Sequence, residues 1–455
     1  MPMESLPDPM PIRYWEAGSP AFSARVRPPG SKSVTNRAIL LAALSRGRSV
    51  LVRPLLHADD AERMIAGVRA LGAAVRETAE GDLEIEGVGG RWPGGSGGVR
   101  LDLGNSGTAT RFLAAAALLA PGPVTIDGNE RMRQRPIGEL AGALESLGAV
   151  VEYGGEAGMP PLTITPPARL AESATVELPT TVSSQFVSAL LLVGPFLPGG
   201  LTLSLRGPIT SRSYVMMTVG LLDQLGAIVK TTESLSLIRV GGVGGGLAAF
   251  RLLVEPDASG ATYFWAAAAL RAGAVCRVDG LDARSMQGDA NFPDLLSRMG
   301  AAVLREEGES PSIGVRGPVS LTPIMADLSL MPDAAMTLAA VASFAKGMSV
   351  LRGLRTLRVK ETDRIAALEK ELAKVGVKVE GQVLGDSDSI TITPPKGGID
   401  CSSGVPRVEF ETYDDHRMAM SLALIGLRRP NVWVKNPGCV GKTYPEFWRD
   451  LGMLG

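Results

Sequence analysis

Leu71-Gly72-Ala73-Ala74-Val75 closes an apolar helical stretch and opens a β-branched run. The turn returns as Leu147-Gly148-Ala149-Val150, Leu225-Gly226-Ala227-Ile228-Val229, Met299-Gly300-Ala301-Ala302-Val303 and Val375-Gly376-Val377-Lys378-Val379, and Leu451-Gly452 stands near the end of the chain. The glycines are 76, 78, 74, 76 and 76 residues apart, which points to a sixfold repeat of about 76 residues. Ahead of the turns, apolar residues fall at three- and four-residue steps, as at Ile65, Val68 and Leu71 or Leu140, Leu144 and Leu147. That is the buried face of a helix. Gly just past a last turn is the favoured left-handed stop, and the β-branched residues after it begin a strand. Each repeat therefore contains a helix–Gly–strand element.

A second helix recurs in the same phase. Small or polar residues precede an Ala/Leu-rich run at Ser31-Lys32-Ser33, Asn105-Ser106-Gly107-Thr108, Ser183-Ser184-Gln185, Asp257-Ala258-Ser259, Asp333-Ala334-Ala335 and Asp415-His416-Arg417. Each one alone reads as a helix cap. As a set they also offer convergent helix N-termini, whose free N–H groups and positive ends attract anions. Lys32 and Arg417 place cations at such starts, with Arg37 close behind Lys32. A cation there is unfavourable by about 0.3–1 kcal/mol and needs a compensating partner, which a bound anion would provide.

The overall balance of 46 basic and 47 acidic residues points to neither nucleic acid nor a membrane surface. Three cysteines (Cys276, Cys401, Cys439) make no disulfide framework and no zinc spacing, which fits a reducing cytoplasm. Apolar runs such as 112–121 and 189–198 are well short of the ~18–20 residues that span a bilayer. With only His57 and His416, a zinc enzyme is disfavoured. Gly441-Lys442-Thr443 lacks the upstream glycines of a nucleotide P-loop. Charge is concentrated instead at Arg131-Met132-Arg133-Gln134-Arg135-Pro136, read as the approach to a helix starting near Pro136, and at Arg358-Val359-Lys360-Glu361-Thr362-Asp363-Arg364. In the latter, Lys360 and Arg364 would share a face on one helical turn, with Thr362 or Asp363 near the cap.

These segments, taken with Pro29-Gly30-Ser31-Lys32-Ser33-Val34-Thr35-Asn36-Arg37, Leu103-Gly104-Asn105-Ser106-Gly107-Thr108, Ser183-Ser184-Gln185-Phe186, Pro332-Asp333-Ala334-Ala335-Met336 and Tyr413-Asp414-Asp415-His416-Arg417-Met418, resemble the 5-enolpyruvylshikimate-3-phosphate synthases. The resemblance runs in order from about residue 22 to 450. It implies an α/β fold of two similar domains, each three βαβαββ repeats forming an inside-out α/β barrel, with the active site in the interdomain cleft. The expected domains are 22–250, and 1–21 together with 251–455, the chain crossing near residues 20 and 250. The implied reaction moves the enolpyruvyl group of phosphoenolpyruvate to the 5-hydroxyl of shikimate 3-phosphate, with no metal and no organic cofactor. The implied protein is a cytoplasmic monomer acting on small molecules, without nucleic acid or membrane partners.

Carried over by position, the resemblance implies Asp333 as base, Glu361 as proton donor and acceptor, and Lys32 as a further catalytic group. Shikimate 3-phosphate would meet Lys32, Ser33, Arg37, Ser183, Ser184, Gln185, Ser211, Tyr214, Asp333 and Lys360. Phosphoenolpyruvate would meet Lys32, Asn105, Gly107, Arg135, Gln185, Arg364, His416, Arg417 and Lys442. Seven cations among these would repel in an empty site, so the domains are expected to stand apart until both anions bind. Thr356, Phe112 and Ser106 depart from the common family pattern, which has Asn, Pro and Ala there. Phe112 is expected to reshape the helix beneath Gly107. A side chain at Gly107 would crowd the phosphate of phosphoenolpyruvate, so sensitivity to its analogue glyphosate is expected.

The closest enzyme alternative transfers enolpyruvyl to UDP-N-acetylglucosamine, but that family carries a Cys in the loop matching 129–135 and none stands here. A non-catalytic anion binder would be expected to lose Asp333 or Glu361.

Overall fold

The computed structural model describes residues 6–16, 18–179, 183–207, 209–243, 246–383 and 386–454. Two helices belong to each repeat: α1 (Lys32–Leu44) and α2 (Asp59–Ala70), α3 (Gly107–Ala116) and α4 (Gly138–Ser146), α5 (Ser184–Val193) and α6 (Arg212–Gln224), α7 (Ala258–Ala269) and α8 (Phe292–Arg298), α9 (Ala335–Ala342) and α10 (Arg364–Ala373), and α11 (His416–Arg428) and α12 (Phe447–Gly452). The even-numbered helices precede the repeated glycines. Gly72, Gly148, Gly226, Gly300 and Gly376 have φ between +80° and +106°, where a side chain would be strained. Gly452 differs, because it is the last residue of α12 and ends no left-handed turn.

The odd-numbered helices form the interior. Every residue of α3, α7 and α9 is buried. Even helices are one-sided: α10 buries Ile365, Ala367, Leu368 and Leu372 and exposes the rest of its length, apart from Arg364 and Glu371. Ala and Leu dominate the buried helices because both favour helix and pack closely.

Each repeat builds one open sheet of mixed direction. In the second, Val99–Asp102 pairs parallel with Val124–Asp127, which pairs antiparallel with Leu162–Thr165, itself antiparallel to Val150–Tyr153. The third and fifth repeats have the same order. The first and fourth exchange their leading strands. Ser23–Val26 joins Val275–Asp279, and Arg251–Leu253 joins Arg46–Val52, both in parallel. The sixth sheet is completed by Met10–Pro11, antiparallel to Val432–Val434 where other repeats place the last strand of their hairpin.

The chain divides into Met1–Pro29 with Glu255–Gly455, and Gly30–Val254. The passages lie at 29/30 and 254/255, each after an exchanged strand has paired within its unit. We call these the C-terminal and N-terminal units.

Candidate active site

In the N-terminal unit, Ser31 caps α1 by accepting from the Val34 N–H at 3.5 Å. Lys32 follows at the helix start, and its Nζ lies 3.0 Å from Asp60 Oδ2 in the first turn of α2. The compensating partner expected at Lys32 is therefore already a carboxylate of the protein. Arg37, one turn on, is 2 % exposed and held by neutral groups. Its Nε donates to Thr218 Oγ1 at 2.8 Å, Nη1 to the Ser33 carbonyl at 2.8 Å, and Nη2 to Ser188 Oγ and the Tyr214 carbonyl, both at 3.1 Å. No carboxylate among the described residues pairs with it. Burial pushes its pKa down to about 10, so it remains a cation near neutral pH. Phe112 offers its ring 5.2 Å from the guanidinium, a favourable cation–π distance. α3 runs unbroken through Phe112.

Ser106 caps α3 through the Ala109 N–H at 3.4 Å. Arg135 reaches this helix start, donating from Nη1 to Asn105 Oδ1 at 3.2 Å and to the Asn105 carbonyl at 3.3 Å. A Cβ on Gly107 would lie 2.5 Å from Arg135 Nη2, so Gly is required for the guanidinium to occupy this place. The neighbouring arginines do other work: Arg133 binds Asp127 through two bonds of 2.9 Å, and Arg131 donates to Gln134 at 3.2 Å. The helix after them starts at Gly138, two residues later than the Pro136 expected, and Arg135 ends a 3-10 turn at Met132–Gln134.

Ser183 caps α5 by accepting from the Gln185 N–H at 3.2 Å, and Ser184 is buried in its first turn. Gln185 Nε2 donates to Thr108 Oγ1 at 3.4 Å, tying the start of α5 to that of α3. Ser211 precedes α6 in the left-handed region at φ +53°, and its carbonyl accepts from the Tyr214 N–H at 3.1 Å.

In the C-terminal unit, Arg364 organises a buried charge network, its side chain 1 % exposed. Its Nε donates to Asp415 Oδ2 at 2.8 Å, Nη1 to Asp333 Oδ1 at 2.9 Å, and Nη2 to Glu361 Oε2 at 3.0 Å and Asp415 Oδ1 at 3.2 Å. Burial opposes the charge on Arg364, but Asp415, Glu361 and Asp333 together outweigh it and raise its pKa. Asp333 also meets Lys360 Nζ at 3.4 Å and Arg417 Nη2 at 3.2 Å, and Glu361 meets Lys442 Nζ at 3.1 Å.

Lys360 and Arg364 do not share a helical turn: Lys360 ends a 3-10 turn, and α10 begins at Arg364 after its cap Asp363. They converge on one oxygen of Asp333 all the same. Asp333 is the sole acid among the six starts that does not cap. It sits in the 3-10 turn Pro332–Ala334 with its carboxylate turned to cations, whereas Asp257 and Asp415 accept from backbone N–H groups. His416 is fully buried, its Nδ1 3.9 Å from Asp415 Oδ1.

The profile of the family described as EPSP synthase (3-phosphoshikimate 1-carboxyvinyltransferase) matches residues 17–451. The chain belongs to the EPSP synthase family. The 3-phosphoshikimate 1-carboxyvinyltransferase of Laribacter hongkongensis is 43% identical over 441 residues, covering 94% of this chain and 95% of that protein. That of Shewanella sp. strain W3-18-1 is 40% identical over 427 residues, again covering 94% and 95%. The EPSP synthase structure from Acinetobacter baumannii superposes with a TM-score of 0.78 at 27% identity, over 98% of each chain.

Two acids that pair with these cations were not foreseen in that role. Asp60 and Asp415 neutralise Lys32 and Arg364, and their signal was no more than that of an acid in a helix first turn or cap. Their presence also weakens the expected repulsion among cations. Lys360, Arg364, Arg417 and Lys442 already share Asp333, Glu361 and Asp415 within one unit.

Proposed function

We infer that this chain transfers the enolpyruvyl group of phosphoenolpyruvate to the 5-hydroxyl of shikimate 3-phosphate and releases phosphate, the reaction named by the family it belongs to. Support comes chiefly from Asp333 and Glu361, two buried carboxylates bridged by one arginine and each bound to a further cation. A non-catalytic anion binder has no need of either acid.

For shikimate 3-phosphate, Ser33 and Arg37 take the carboxylate and Ser183, Ser184, Ser211 and Lys360 the phosphate, with Gln185 and Tyr214 against the ring. For phosphoenolpyruvate, Lys32, Asn105, Gly107, Arg135 and Lys442 take the phosphate, and Arg364 with Arg417 takes the carboxylate, beside His416. Arginine suits a planar carboxylate because its fork can bond both oxygens.

In the addition step Asp333 takes the proton of the 5-hydroxyl as its oxygen bonds to carbon 2 of phosphoenolpyruvate. Glu361 protonates the methylene carbon. In the elimination Glu361 recovers a proton from the new methyl group as the carbon–oxygen bond to phosphate breaks, and the proton taken up by Asp333 departs with the phosphate. Arg364 and Lys442 both pair with Glu361, at 3.0 and 3.1 Å. Substrate anions that draw on these two cations would loosen that hold and favour the protonated donor. The protein would act in the cytoplasm as a monomer.

The deciding experiment is phosphate release, which should require both substrates together. Release supported by UDP-N-acetylglucosamine in place of shikimate 3-phosphate would overturn the reading. Gly107→Ala is expected to raise KM for phosphoenolpyruvate by about tenfold or more, equivalent to ~1.4 kcal/mol, with kcat little changed. The added Cβ must displace the Arg135 guanidinium from its place beside Asn105. Glyphosate inhibition should be seen at or below millimolar concentration in the parent enzyme and weaken in parallel in the variant. An unchanged KM would sink the Arg135 assignment.

A further inference from the structure

Glu371 is a buried carboxylate that the chemistry proposed above leaves unused. Seven residues separate it from Arg364, about two turns of α10, so the two side chains lie on one face of that helix. The Glu371 side chain has no exposed surface, and one stretch of chain occupies both its oxygens. Oε1 accepts from the Tyr413 hydroxyl at 2.7 Å, and Oε2 from the Glu411 N–H at 2.9 Å. Lys374 neutralises Oε2 at 2.6 Å and donates to the Glu409 carbonyl at 2.8 Å. With Arg364 on Asp415, α10 therefore grips this stretch at Glu409, Glu411, Tyr413 and Asp415, directly ahead of Arg417.

The backbone there is strained. Tyr413 and Asp414 have φ of +56° and +54°, the only adjacent non-glycine pair in the left-handed region among the described residues. Around them the Asp415 N–H donates to the Thr412 carbonyl at 2.9 Å, the pattern of a type I′ turn. Such turns favour Asn, Asp or Gly at their centre, because a Cβ crowds the backbone at positive φ. A bulky aromatic in the first central place is costly and persists only where its surroundings impose it. Two contacts impose it here. Glu371 fixes Tyr413, and Asn436 Nδ2 donates to Asp414 Oδ1 at 3.0 Å.

We propose that Glu371 and Tyr413 are positioning residues, whose bond clamps this strained turn onto α10 and so sets where Asp415 and Arg417 stand. The proposal rests on the reading of Arg417 as a carboxylate-binding cation. Asp415 closes the turn, caps α11 through the Arg417 and Met418 N–H groups, and binds Arg364. A turn that relaxes toward ordinary φ shifts Asp415, and with it the first residues of α11 and the Arg417 guanidinium. Asp333 is carried by the turn Pro332–Ala334 and Glu361 by the segment ahead of α10. The cost of loosening the clamp therefore falls on binding more than on proton transfer.

The test is steady-state phosphate release by the full-length enzyme and by Tyr413→Phe, which loses one hydroxyl and keeps the ring. KM for phosphoenolpyruvate should rise about five- to twentyfold, with kcat and KM for shikimate 3-phosphate within about threefold of the parent. A merely structural role would reduce the folded fraction, which lowers apparent kcat and leaves KM unmoved. Adding Asp414→Gly should return KM for phosphoenolpyruvate to within about threefold of the parent, because glycine takes a positive φ without strain and the turn no longer needs its clamp.

An unchanged KM in Tyr413→Phe would overturn the proposal, as would a double variant no better than the single. If Tyr413→Phe does not fold, Asn436→Gly takes its place. That change removes the exposed contact to Asp414 and suits the φ of +45° at Asn436. It should raise the same KM about two- to fivefold, and no rise would overturn the proposal. Arg417→Ala separates the two readings. A large rise in its KM for phosphoenolpyruvate, with none in Tyr413→Phe, leaves the role of Arg417 standing and removes the clamp alone. An unchanged KM in Arg417→Ala removes that role, and this proposal with it.

Discussion

Asp333→Asn is expected to lower kcat by about 10³-fold while KM for both substrates stays level or falls, since a positioned general base typically contributes ~10²–10⁴-fold. Asn has nearly the same size and can still accept from Arg364 or Lys360, but it cannot take the proton of the attacking hydroxyl. The change also removes a negative charge that Lys360, Arg364 and Arg417 now share. Those cations become freer to hold anionic substrates, so binding should not suffer. This split between kcat and KM distinguishes a lost base from a damaged site, which would raise KM as well. Steady-state phosphate release would decide it, and a loss of less than about tenfold in kcat would remove Asp333 from the role of base.

Arg364→Met is expected to cost about 3–5 kcal/mol of stability, as breaking a buried ion network by removing one partner usually does. The cost should fall unevenly on the three acids. Asp333 keeps Lys360 and Arg417, and Glu361 keeps Lys442. Asp415, with no exposed side-chain surface, loses two bonds of 2.8 and 3.2 Å and keeps the backbone N–H groups of Arg417 and Met418, with His416 at 3.9 Å. Asp415 is therefore the carboxylate left with a buried charge. Adding Asp415→Asn should restore a large part of the loss, because Asn still caps α11 but carries no charge. The comparison is made by urea unfolding of the full chain. A single variant within about 1 kcal/mol of the parent, or a double variant no better than the single, would show that Arg364 does not stabilise the unit through Asp415.

Much of this site was legible in the chain because it consists of short segments at a fixed phase of a repeat. Lys32, Gly107, Ser184, Asp333 and Arg417 each lie at or beside the start of a central helix, where spacing alone located them. Their partners were not legible. Asp60 reaches Lys32 because α2 packs on α1, and Asp289 reaches Ser259 from the turn ahead of α8. No periodicity marks either acid as different from an ordinary solvated one. Phe112 was marked only as a departure from the family pattern, and it is the packing of α3 against α1 that gives its ring to Arg37. Secondary structure near charged segments was also misjudged. Lys360 ends a 3-10 turn where a helical turn shared with Arg364 was expected, because local propensity does not say where a chain must bend to bring a side chain to a carboxylate.

The sequence by itself determined the repeat, the helix–Gly–strand unit, the phase of the central helices and the residues offered at their starts. These are local properties, set by hydrophobic period and by the backbone freedom of glycine within a few residues. Tertiary structure alone decided which strands change places between the first and fourth repeats, and which sheet Met10–Pro11 completes. It also decided which acid neutralises which cation. Ion pairing depends on distances of a few ångströms between residues far apart in the chain, and a one-dimensional pattern does not encode those distances.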